Sequence, residues 1–160
     1  MKLTSLYGAM PGFDHGLSRI NGIIYETFKE LGETVAETRL NLLELPFYDG
    51  IPSAGAEKIM DDLTSSDGII LSFTTNLFAP CSVMQIFLEH LSSDKFAKSL
   101  SGKNVFVITS SPDYGESASL LYVSRIINSL GGHCAVSLGL NGRLVENMDE
   151  SLQNTIEKYA

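Results

Sequence analysis

The sequence predicts an α/β fold: a three-layer αβα sandwich on a doubly wound, five-stranded parallel sheet with strand order 2-1-3-4-5. Three observations lead there. Short apolar runs alternate with longer amphipathic ones along the chain. Several of the short runs are rich in Val, Ile and Phe, as expected of strands buried on both faces. The long runs carry helix punctuation at their ends. Strands that follow one another through helical crossovers lie parallel, and right-handed crossovers put helices on both faces of the sheet. The 160 residues, 44% of them hydrophobic, suit one compact domain over 1–160.

Each element has its own signature. The strands are expected at 3–7, 35–45, 68–73, 103–109 and 134–138. Between the first two, Leu17, Ile20, Ile24, Phe28 and Leu31 recur at helical spacing, and Gly32 follows as a stop. Ala56, Ile59, Met60 and Leu63 mark a second helix within 53–66, and Val83, Phe87 and Leu91 a third, started by Pro80. Leu120, Val123, Ile127 and Leu130 form a fourth before Gly131 and Gly132. Leu152, Ile156 and Tyr159 form a last one, with Asn147 and Glu150 spaced as a capping box.

Eleven basic residues against nineteen acidic ones give a net charge of −8, with no basic stripe anywhere. This disfavours binding to nucleic acid or to an anionic membrane. The opening MKLTSLYGAM has only a short apolar run, far below the roughly 18 residues of a membrane span, so a cytoplasmic location is expected. Cys81 and Cys134 form neither a disulfide framework nor a C-x-x-C pair, and His15, His90 and His133 have no joint ligand spacing. No metal site is expected.

In open parallel sheets the ligand lies beyond the carboxyl ends of the strands, where the winding reverses. Three loops meet there. The first, GAMPGFDHGLS from Gly8 to Ser18, has three glycines and a serine before an amphipathic helix, which suits an anion cradle of backbone N–H groups, helix dipole and hydroxyl. Arg19 could add charge, and His15 reads either as a phosphate contact or as a solvated loop histidine. The competing reading is a tight reversal in which Ser18 or Asp14 caps the helix. The second loop, TTNLFAPC, offers Thr74, Thr75 and Asn76 as polar partners and Leu77 and Phe78 as apolar ones. That mixture suits a flat heteroaromatic ligand; alternatively Leu77 and Phe78 pack under a helix. The third loop, SSPDYGES, presents Ser110, Ser111, Asp113, Tyr114 and Gly115, with Tyr114 placed either to stack on a ring or to stand in water.

Over nearly its whole length the chain resembles the NAD(P)H-dependent FMN reductase family of the flavodoxin-like fold. Gly8, Pro11, Gly16 and Ser18 echo that family's G-S-P-R-x-x-G-x-[ST] phosphate loop, stretched by two residues and without its arginine. Asp67, Gly68, Ile69 and Ser72 echo its middle strand, and Gln85, Glu89 and Leu91 its following helix. Leu100, Ser101, Gly102 and Lys103 match its L-x-G-K before the fourth strand. Thr74, Asn76 and Gln85 stand where the family has proline, tyrosine and lysine. The resemblance implies FMN held by Pro11, His15, Gly16, Ser18, Arg19, residues 74–78, Ser110, Ser111, Asp113, Tyr114 and Gly115. It also implies NAD(P)H as co-substrate, a small-molecule electron acceptor, and assembly as a homodimer or tetramer.

Three functions fit this reading. The first is an FMN-binding NAD(P)H-dependent oxidoreductase, whose cofactor carries the chemistry and so needs no catalytic side chain. The second is a flavodoxin-type electron carrier, suited to the acidic surface but lacking a T-x-T-G-x-T phosphate signature. The third is a flavodoxin-like binding module that has lost the cofactor, as the three departures suggest.

Overall fold

The computed structural model of the chain describes residues 1–9, 12, 14, 16–40 and 44–141. In chain order it has β1 (Lys2–Gly8), α1 (Leu17–Glu30), β2 (Thr34–Arg39), α2 (Ala54–Thr64), β3 (Gly68–Asn76), β4 (Ala79–Pro80), α3 (Ser82–His90), a short 3-10 turn (Asp94–Phe96), β5 (Asn104–Ser111), α4 (Glu116–Ser129) and β6 (His133–Asn141). The parallel strands run in the order β2-β1-β3-β5-β6, and β4 is an antiparallel spur on the end of β3. With the spur set aside, this is the expected 2-1-3-4-5 arrangement.

Two boundaries differ from the sequence expectation. The second strand, expected over 35–45, spans Thr34–Arg39 beside β1, which ends at Gly8; residues 41–43 of the expected run lie outside the described residues. The last link is the Leu40 N–H donating to the Tyr7 carbonyl at 2.9 Å. The third strand runs three residues further, to Asn76, because β5 on one side and β4 on the other continue to pair with it. The helix expected around Leu152, Ile156 and Tyr159 lies outside the described residues.

Each sheet face buries its own core. Under α1, Leu17, Ile20, Ile24 and Phe28 close on Leu3, Tyr7, Ile70, Phe106 and Ile108. On the other face, α2, α3 and α4 bring Met60, Phe87 and Val123 against Leu6, Leu71, Phe73 and Val107. Burying an aromatic or branched side chain of this kind contributes roughly 1.5–3 kcal/mol. His90, buried at the end of α3, accepts the Ser53 N–H at Nδ1 and donates from Nε2 to the Pro46 carbonyl, so it ties two loops together. No helix among the described residues is long and apolar enough to cross a membrane.

The β1–β2 edge is joined to α1 by a polar chain. Tyr25 donates to Glu37 at 2.8 Å and accepts from Ser5 at 2.6 Å, while Arg39 Nε donates to the other Glu37 oxygen at 2.7 Å. Burial raises the Tyr25 phenol well above its ordinary range, helped by Glu37 and opposed by the Ser5 hydrogen bond. The folded protein therefore keeps this proton to higher pH than the unfolded chain, whose tyrosines ionise near about 10. Unfolding free energy should be level below about pH 10 and fall above it. Tyr25→Phe should reduce that fall in denaturant titrations across pH 8–12, and an unchanged slope would show that Tyr25 is not its source.

Candidate functional site

The winding reverses between β1 and β3, where β1 carries the chain outward to β2 and β3 carries it back toward β5. At that point the backbone N–H of Cys81 donates to the Thr74 carbonyl at 2.8 Å, and its thiol donates to the Gly8 carbonyl at 3.1 Å. Cys81 thus plugs the switch point as a small buried group and starts α3. The three loops expected from the sequence surround this plug.

In the first loop, Gly16 takes the left-handed conformation at φ 79° and starts α1. Lacking a side chain, it leaves the capping to Asp14. The Asp14 backbone carbonyl accepts the Leu17 N–H at 2.9 Å, one carboxylate oxygen accepts the Gly16 N–H at 3.1 Å, and the other accepts the Ser18 hydroxyl. Ser18 and Arg19 are exposed on the first turn. Pro11 and His15 lie outside the described residues. Beside the loop is a cleft of about 570 Å3, walled by Tyr7, Ala9, Gly12, Asp14, Ser18, Arg39 and Leu40. The Arg39 guanidinium lies 4.7 Å above the Tyr7 ring. Burial, with the Asp14 charge second, raises the Tyr7 phenol, and Arg39 opposes this.

The second loop is a hairpin. Asn76 pairs with Ala79 across a two-residue turn in which Leu77 and Phe78 both have positive φ, 47° and 72°. A turn with both central residues left-handed normally selects Asn-Gly. Here two large apolar residues occupy it, 77% and 58% exposed. Phe78 meets Tyr114 of the third loop, ring centroids 5.2 Å apart and planes tilted by 40°. Gly115 makes this approach possible: a Cβ there would stand 2.7 Å from the Phe78 nitrogen, and its φ of 101° is itself unfavourable for other residues.

Beneath this rim the expected polar partners are buried. Thr75 shares a hydrogen bond of 2.7 Å with Thr109, and Ser111 donates to Glu116 at 2.8 Å. Ser110 is equally buried, and Thr74 Oγ1 is buried with no hydrogen-bond partner. Asn76, half-buried, and Asp113, exposed, stay at the surface with the aromatic pair. Asn141 at the end of β6 fastens the third loop by donating to the Asp113 carbonyl. Sequence reasoning missed Asn141, Tyr7 and Arg39, because their contacts depend on strand register.

The flavin implied by the resemblance can be tested against these groups. A ring fits at the rim, where Leu77, Phe78 and Tyr114 offer apolar faces beside the Asn76 amide. It does not fit between Phe78 and Tyr114, since a third ring would need two contact distances of about 3.5 Å each. Among the described residues of the first loop, the Gly16 N–H and the Ser18 hydroxyl, two donors a phosphate would use, are given to Asp14.

Left-handed backbone costs an L residue roughly 1–2 kcal/mol. Replacing Leu77 and Phe78 together by Asn and Gly should therefore raise stability by about 1 kcal/mol after the lost ring contact is deducted. Gly115→Ala should lower it by at least about 1 kcal/mol. Urea unfolding of both variants checks this; a double variant no more stable than the parent would show the turn is unstrained.

No protein-family profile matches the sequence, and no curated protein matches it. Solved structures do match in fold. A flavone reductase superimposes with a TM-score of 0.77 at 11% identity over 98% of this chain, which spans 60% of that enzyme's length. The apo form of the NADH:FMN oxidoreductase EMOB gives 0.73 at 16% identity, over 99% of this chain and 87% of that one. An FMN-dependent NADH-azoreductase from Bacillus anthracis, solved in complex with FMN, gives 0.74 at 15% identity over all of both chains. The chain has the flavodoxin-like fold that these reductases share.

Proposed function

We propose that the protein is a flavin-binding, NAD(P)H-dependent oxidoreductase that passes electrons to a small acceptor. The observation that carries this reading is the rim at the carboxyl end of the sheet. There a strained turn and a glycine hold Phe78 and Tyr114 together in solvent, at the place where folds of this kind take their ligands. Backbone strain and exposed aromatic surface are both costs to a stable fold, and ligand sites are where such costs concentrate. The fold likeness to reductases whose names specify FMN supports flavin over other flat ligands.

The hydride chemistry is supplied by the cofactor when bound. The chain's part is to position it. Phe78 and Tyr114 offer a stacking face, the Asn76 amide a donor and an acceptor for a ring edge, and the buried Thr75–Thr109 pair stiffens the strand ends beneath. A second reading, a binding module without cofactor, is favoured by Asp14 in the first loop and by the closed Phe78–Tyr114 gap. In the same proposal two chains pair through the outer face of α4. Ala118, Leu121, Tyr122, Arg125, Ile126 and Ser129 line an apolar groove there of about 400 Å3. Interface cores are similarly poor in charge and enriched in Tyr and Arg.

Titration with FMN and with riboflavin, followed by flavin fluorescence, should show saturable binding. Phe78→Ala or Tyr114→Ala should weaken it about tenfold, the scale of one lost stacking contact. NAD(P)H oxidation by the loaded protein separates the reductase from an electron carrier, and no binding of either flavin would leave the module reading. Sedimentation should return a dimer that Leu121→Asp converts to monomer.

A further inference from the structure

We infer that His90 is the latch of the segment joining β2 to α2, and that a proton taken up at its Nδ1 releases that segment as one unit. Residues 46–53 begin and end on this imidazole. Nε2 donates to the Pro46 carbonyl at 2.8 Å, and Nδ1 accepts the Ser53 N–H at 3.4 Å. A carbonyl only accepts and an amide N–H only donates, so the two partners define the neutral ring with its proton on Nε2. The ring is fully buried, and Tyr48 of the same segment meets it at 68°, centroids 5.3 Å apart.

Among the described residues no other hydrogen bond ties the stretch 46–52 to the rest of the protein. Its remaining bonds are internal: Tyr48 donates to the Gly50 carbonyl at 3.0 Å, and the Ile51 N–H to Asp49 at 3.2 Å. Apolar burial does not hold it either. None of residues 46–52 is buried, and Phe47 and Ile51 stand 81% and 75% exposed. Just beyond the stretch, Ser53 is committed to α2, where its hydroxyl oxygen accepts the Ala56 N–H at 3.2 Å. One imidazole therefore fixes how two large apolar side chains are displayed, with residues that the flavin reading does not use.

A proton and the Ser53 N–H compete for the same lone pair on Nδ1. When the proton takes it, two N–H groups face each other and the bond is lost. Of the titratable residues on the segments around the ring, Glu44, Tyr48 and Asp49 precede α2, Glu57 lies in α2, Glu89 in α3, and Lys95 follows it. None of them hydrogen-bonds to the imidazole, whose partners are Ser53 and Pro46, and Glu57 and Lys95 pair with each other. The latch accordingly holds at neutral pH and weakens as pH falls. An imidazole free in water titrates near about 6.5, so release is about tenfold more favourable at about pH 5.5 than at neutral pH. With none of residues 46–52 buried, release leaves both cores in place.

The experiment follows the nitrogen NMR signals of the His90 ring, and the amide exchange of residues 47–53 corrected for intrinsic rate, from about pH 7.5 to about pH 5.5. The expected result is the Nε2–H ring at neutral pH, then proton uptake at the same midpoint as a roughly tenfold loss of protection in the segment, while β3 keeps its protection. His90→Gln should exchange faster in this segment at neutral pH and show no further change in acid, whereas Asp49→Asn should respond as the wild type does. Constant protection of the segment, a midpoint apart from that of His90, an equal loss in β3, or a pH response retained by His90→Gln would each overturn the inference. If His90→Gln does not fold, the two midpoints in the wild-type protein decide.

Discussion

Strand β3 is buried along eight consecutive residues, hydrogen-bonded to β1 on one side and to β5 on the other, and its register decides where three chain reversals meet. Gly8 lies opposite Phe73, and Thr74 opposite Ser110. The first loop therefore leaves the sheet one residue below the point where the third strand turns from apolar to polar. A slip of one residue would send Ile69, Leu71 and Phe73 to the face of α1 and turn Thr75 away from Thr109. Because both faces of β3 are covered, such a slip exchanges two filled cores, and the register is correspondingly rigid.

At the carboxyl end the apolar pattern gives way to hydroxyls: Thr74, Thr75, Thr109, Ser110 and Ser111, all buried. Parallel strand ends would otherwise expose backbone to a ligand or to water. Here Thr109 donates to the Phe73 carbonyl while sharing its hydroxyl with Thr75, so the layer largely satisfies itself. Above it the first loop is closed by its own carboxylate, and the second and third by an aromatic pair. Stiffness in the polar layer and self-closure in the loops are separate properties, set by different residues.

The alternation of apolar runs made the sheet order legible, since parallel crossovers leave few alternatives once five strands and their helices are recognised. The cap of α1 was legible as one of two readings, because Asp14, Gly16 and Ser18 are close in sequence. The hairpin was not. A two-residue turn with both residues left-handed is announced by Asn-Gly, and Leu77-Phe78 conveys the opposite, so residues 74–80 read as an open loop. Nor was the Arg39–Tyr7 contact legible, for it exists only because β1 and β2 pair with Tyr7 opposite Arg39. Local chemistry reaches as far as helix caps and strand content; what depends on register or on strained backbone lies beyond it.

The thiol that seals the switch point gives the molecule an internal clock. Cys81 is fully enclosed and bonded to the Gly8 carbonyl, whereas Cys134, near the start of β6, is half-buried beside Ser124. An alkylating reagent reaches Cys134 through modest fraying of the sheet edge. It reaches Cys81 only when the start of α3 parts from the ends of β1 and β3, an excursion of the kind that governs slow amide exchange in central strands. The contrast between the two labelling rates thus converts into the free energy of opening at the centre of the sheet, read from two sulfur atoms in one chain.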